Sequence, residues 1–108
     1  ARGSKLTLSI SAGEVPLLSQ AAPLAEQGYV TGASQRNWAS YSAGVVLPEG
    51  IPDWRRHLLT DPQTSGGLLI ACAPGRAADL VAKIKAAGYP AARVVGNAEA
   101  GEARVRVV

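Results

Sequence analysis

The sequence predicts an α+β fold, a mixed β-sheet with helices packed against it, on three observations. Strand-like and helix-like patterns alternate in the order β, helices, β, α, β, α, β, β. The run "LLIACA" is continuously apolar and reads as a central strand covered on both faces. The segment "PGRAADLVAKIKAAG" places apolar residues at helical spacing and ends on a glycine. With 108 residues the chain is long enough for one modest core, so positions 1–108 are read as a single domain.

Each element has its own local signal. "KLTLSI", Lys5 to Ile10, alternates polar and apolar residues as a half-buried strand does. Val15 to Gln27 reads as helix, with Pro16 at a first helical position and Leu17, Ala21 and Leu24 on one side. Pro23 in its interior predicts a kink or two short helices, and Gly28 ends it. Ser34 is placed as the cap of a helix over Gln35 to Ser42, with Trp38 and Tyr41 on a shared face. "GVVLP" is a short strand. Pro52 opens a helix with Ile51, Trp54 and Leu58 on its apolar side and Arg55 and Arg56 pointing outward. After "LLIACA", Leu80, Ile84 and Ala87 line one side of the next helix, Asp79 pairs with Lys83 one turn on, and Gly88 closes it. "ARVVGNA" and "ARVRVV" are the last strands, joined by a Gly/Glu turn.

Composition narrows the function classes. An apolar fraction of 47% fits a globular protein, and no run approaches membrane-spanning length. The net charge of +3 comes from dispersed basic residues, and only five aromatics accompany them, two Trp and three Tyr. A nucleic-acid interface needs a basic stripe with stacking platforms, so none is expected. Cys72, the single cysteine, reads as a buried core thiol without disulfide or zinc partners, compatible with a reducing cytoplasm. No acidic cluster has metal-ligand spacing. The chain starts at Ala1 and lacks methionine, which reads as a piece of a longer protein.

The stretch "LLTDPQTSGGLLIAC" holds the chemistry. Asp61 and Pro62 favour a type I turn over Asp61–Thr64, with the Asp61 carboxylate folding onto nearby backbone N–H groups. Thr64 and Ser65 offer hydroxyls, while Gly66 and Gly67 let a ligand approach the main chain. Successive N–H groups in such a bend can hold an anion. A purely structural account, in which the glycines relieve crowding where a strand enters the core, stays open. No lysine follows the glycines as in a Walker A loop, and the spacing is not that of a dinucleotide fingerprint.

That stretch, together with "GYVTGASQRNWASY" upstream, resembles the selenophosphate synthetases (selenide, water dikinases). The upstream segment is similar to the family form V-P-G-G-T-x-R-N-x-x-S-Y: Gly32, Arg36, Asn37, Ser40 and Tyr41 match, whereas Thr31, Ala33 and Ser34 depart from it. The resemblance runs from "VPLL" to the closing strands. It implies a C-terminal domain of the kind found in the aminoimidazole-ribonucleotide-synthetase superfamily, partnered by an N-terminal ATP-binding domain in a homodimer. It implies an enzyme that turns selenide, ATP and water into selenophosphate, AMP and phosphate with Mg²⁺. The family's reactive Cys or selenocysteine, its Lys and its metal-binding carboxylates lie in N-terminal motifs absent from this chain, and Cys72 does not match the reactive cysteine. The chain alone is therefore expected to bind no cofactor and to catalyse nothing. Asp61, Thr64, Ser65, Gly66, Gly67, Arg36 and Asn37 are its candidate substrate and phosphate-cleft residues. Two rivals remain: a domain of a related kinase, such as a thiamine-monophosphate kinase, and a stand-alone module for a small anion.

Overall fold

Strand β1, Leu6–Ile10, lies at the interior of a mixed four-stranded sheet. A computed structural model describes all of residues 1–108. The sheet order is β2 (Val45–Val46), β4 (Arg104–Val107), β1, β3 (Gly96–Ala100). β1 runs antiparallel to β3, with Leu8 opposite Ala98, and parallel to β4, with Leu8 opposite Val105. β2 is parallel to β4. This is the α+β architecture the sequence predicts.

Strand alternation gives the sheet two unlike faces. Leu8, Ile10, Val105 and Val107 share the apolar face, on which helices α2 (Gly32–Tyr41) and α3 (Asp53–Leu59) set Trp38, Tyr41 and Leu59. A cavity of about 190 Å³ remains between them. The other face is polar. Ser9 Oγ donates to Glu99 Oε1 at 3.3 Å, Arg106 Nη1 reaches the same oxygen at 3.3 Å, and Thr7 Oγ1 donates to the Glu102 carbonyl at 2.7 Å. Those bonds explain why Thr7 and Ser9 are buried while their apolar neighbours on β1 are only half-buried.

The helices form largely where the patterns place them, with instructive shifts. The first, α1, covers only Ala21–Glu26, not Val15–Gln27. A proline lacks an N–H and crowds the carbonyl four residues back, so it is tolerated in the first turn but not deeper. Pro23 thus forces the helix to begin just before it, and Pro16 stays outside. Gly28 then takes φ +92°, the left-handed conformation expected of a terminating glycine. The fourth helix, α4, spans Ala77–Ala86 behind a 3₁₀ turn at Pro74–Arg76. Its Asp79–Lys83 pair is 3.1 Å apart, as the spacing predicts.

Three expectations are overturned. "LLIACA", Leu68 to Ala73, is not a strand: Leu68, Leu69 and Ile70 stand 89%, 72% and 49% exposed, and Cys72 is exposed rather than a core thiol. The apolar run has the composition of a doubly covered strand, but within this chain neither open edge of the sheet takes it up. Arg55 and Arg56 do not point outward either. Arg55 Nη1 donates to the Ala12 carbonyl at 2.9 Å, and its guanidinium lies 4.8 Å from the Trp54 ring centre. Arg56 reaches Asp53 at 3.1 Å and lies 5.4 Å from the Trp38 ring centre. A long aliphatic stem lets arginine lie along apolar surface while its head finds a carbonyl or a ring. Finally, Ser34 is not a cap, as the site geometry makes clear.

Candidate functional site

The start of α2 and the end of α3 meet around one hydroxyl. Thr31, not Ser34, caps α2: its Oγ1 accepts from the Ser34 backbone N–H at 3.1 Å. Ser34 therefore sits in the first turn, fully buried, with its side chain turned towards α3. Its Oγ donates to the His57 carbonyl at 2.7 Å and lies 2.6 Å from Thr60 Oγ1, with His57 Nδ1 at 3.3 Å. Thr60 Oγ1 also lies 3.0 Å from the Arg56 carbonyl, so the buried hydroxyl pair is satisfied on both sides. One turn on, Asn37 Nδ2 donates to the Thr60 carbonyl at 2.9 Å.

This junction brings the two sequence motifs together. Thr31 Oγ1 donates to Asp61 Oδ1 at 3.1 Å, and Gln63 Nε2 donates to Asp61 Oδ2 at 3.2 Å. The Asp61 carboxylate thus faces the N-terminal turn of α2, where the helix dipole favours negative charge. It bonds side chains rather than the backbone N–H groups expected of it. The turn also lies further along than predicted, at Thr64–Ser65 rather than over Asp61–Thr64. Gly66 is tight here, because an added Cβ would come within 2.9 Å of Gln63 Cβ, whereas a Cβ on Gly67 would meet nothing within 4 Å. Neither glycine has positive φ, so what the turn requires of Gly66 is space, not left-handed backbone.

The candidate residues separate into two kinds. Thr64, Ser65, Gly66 and Gly67 form an exposed rim beside Asp61. Arg36 is exposed at the same end of α2, its Nη1 lying 3.5 Å from where a Gly32 Cβ would be. Asn37 is instead half-buried and spent on the Thr60 carbonyl, which makes it a structural tie. Sequence reasoning assigned no role to Thr31, His57 or Thr60. The signal for Thr31 was present in its position three residues before Ser34, the spacing between a cap and the N3 backbone N–H that donates to it.

The donor set does not fit Mg²⁺. No three His, Cys, Asp or Glu side chains gather anywhere in the chain. Five of the eight acidic groups are taken up by neighbours: Asp53 by Arg56, Asp79 by Lys83, Glu99 by Arg106, Glu102 by Arg104, and Asp61 by Thr31 and Gln63. A magnesium ion bridging phosphates needs free carboxylates converging on one point. No helix is long and apolar enough to cross a membrane.

Comparison with known proteins follows the same line. No protein-family model matches the chain. The selenide, water dikinase of Rhizobium meliloti (strain 1021) is 60% identical over all 108 residues. Those of Paraburkholderia xenovorans (strain LB400) and Dechloromonas aromatica (strain RCB) are 47% and 38% identical over 108 and 107 residues. The chain spans 31%, 30% and 31% of these three relatives, about a third of their length.

Proposed function

We propose that this chain, homologous along its whole length to about a third of the selenide, water dikinases, is one domain of such an enzyme. The observation that carries the reading is the 60% identity over all 108 residues. The whole enzyme would use ATP, Mg²⁺, selenide and water, and release selenophosphate, AMP and phosphate in the cytoplasm, working as a homodimer. The present chain is the C-terminal domain, and an N-terminal ATP-binding domain supplies the nucleophile and the carboxylates that hold the metal.

Within that enzyme the rim Thr64–Gly67 and Arg36 face the phosphates. Phosphoryl transfer places growing negative charge on non-bridging oxygens, and catalysis rests on donors held in place around them. The hydroxyls of Thr64 and Ser65 and the open backbone at Gly67 provide neutral donors; the Arg36 guanidinium provides a cationic one. Support for a covering domain comes from burial. The buried apolar residues are only Ala12, Ala25 and Val107, a thin core for a chain that leaves Leu68 and Leu69 in solvent.

Two experiments test the reading. Phosphorus NMR of selenide-dependent ATP turnover should show selenophosphate with the full-length protein and none with residues 1–108 alone. Turnover by the short chain would refute the division of labour. Ser65→Tyr and Gly66→Val in the full-length protein should each lower activity at least tenfold with little loss of fold. Unchanged kinetics in both would remove the rim from the site, and phosphate binding by the short chain would favour an independent anion module.

A further inference from the structure

We infer that Thr31 is a positioning residue: its bond to Asp61 holds the 63–66 turn, and hence the rim, against the start of α2 where Arg36 lies. For its effect on activity the inference rests on the function proposed above. The mechanical link stands on geometry alone.

The link is a ladder of two rungs between α2 and the end of α3. The lower rung is the buried pair Ser34–Thr60, at 2.6 Å. The upper rung is Thr31–Asp61, at 3.1 Å. Thr60 and Asp61 are consecutive, so one end of the upper rung is anchored directly by the lower one. Proton direction is determined by chemistry: the Ser34 N–H can only donate to Thr31 Oγ1, which leaves the single hydroxyl proton of Thr31 for the carboxylate. Asp61 passes the constraint on through Gln63, whose Nε2 binds the second carboxylate oxygen and whose Cβ packs into the space left by Gly66.

The backbone gives the rim no other hold. Main-chain hydrogen bonds run up to the Asp61 N–H and resume at the Ala73 carbonyl, with none made by residues 62–72. A segment without ladder bonds, Gln63 to Gly67, therefore depends on one side-chain latch for its place. Losing a single such bond shifts a local opening equilibrium by about 2- to 10-fold.

The test uses the full-length protein and follows proteinase K nicking within residues 62–67, mapped by mass spectrometry, beside steady-state kinetics. Thr31→Val and Asp61→Ala should each speed nicking about 2- to 10-fold, the second while keeping the α2 cap. The double variant should fall clearly short of the product of the two single effects, since both remove the shared Thr31–Asp61 bond. Thr31→Ser should restore the native rate, and KM for ATP should rise in the two single variants with kcat within about twofold. Native nicking in Thr31→Val, or multiplied effects in the double variant, would overturn the latch. Faster nicking with unchanged KM would leave the latch standing and count against the phosphate-cleft reading.

Discussion

Ser34 Oγ and Thr60 Oγ1 lie 2.6 Å apart in the most buried place the chain has, joining the start of one helix to the end of another. A buried hydroxyl pair of this kind specifies geometry more than it adds stability, because each bond replaces one to water. Ser34→Ala leaves Thr60 a carbonyl to bond but takes the shortest donor, at 2.7 Å, from the His57 carbonyl, which keeps only the Thr60 N–H and hydroxyl at 3.3 Å. The expected cost is about 1–2 kcal/mol, read as a lowered midpoint in urea with an unchanged slope.

Arg36 and Asn37 are neighbours with opposite fates. Arg36→Ala should leave stability within about 0.5 kcal/mol, since the side chain is exposed, and should weaken nucleotide-dependent turnover in the full-length protein. Asn37→Asp should do the reverse at the level of fold. It replaces the donor on the Thr60 carbonyl by a repelling carboxylate and should cost about 1–3 kcal/mol. Paired melting and kinetic measurements distinguish the two.

The adjacent glycines of the rim are not equivalent. Gly66→Ala presses a methyl group within 2.9 Å of Gln63 Cβ and must displace the turn, whereas Gly67→Ala meets open space. Protease nicking of the 62–67 segment should speed up in the first and stay near native in the second. Equal behaviour would mean that the turn is not held by Gln63.

Gly96 is demanded by the sheet. An added Cβ there would lie on the Ser9 carbonyl, in the β1–β3 ladder where Ile10 pairs with Gly96. Gly96→Ala should separate β3 from β1 and cost more than about 3 kcal/mol, detectable as loss of soluble folded protein.

The exposed row Leu68, Leu69 and Ile70 predicts different behaviour in the short chain and the full-length protein. Alone, residues 1–108 should self-associate through it, and Leu69→Asp should relieve this. In the full-length protein the amides of 68–72 should gain protection from hydrogen exchange, and the same substitution should destabilise.

Local rules made several elements legible before any coordinates. The alternation in "KLTLSI", the Asp79–Lys83 spacing, and the glycines at 28 and 88 each act through neighbours a few residues away, and each appears as expected. Pro23 was readable as a disruption, though which side of it would stay helical was not, because that depends on what the preceding carbonyls find to bond.

The sequence by itself determined the α+β class and the resemblance carried by "LLTDPQTSGGLLIA". Only the tertiary structure decided that Thr31 rather than Ser34 caps α2, that Asn37 is a tie and Arg36 is free, that Arg55 and Arg56 turn inward, and that Leu68–Ile70 stays uncovered. The physical reason is common to all four. A hydroxyl, amide, guanidinium or apolar side chain takes its role from the partner within about 3–4 Å. In this chain the deciding partners, such as Thr60 for Ser34 and Ala12 for Arg55, lie 26 and 43 residues away along the sequence.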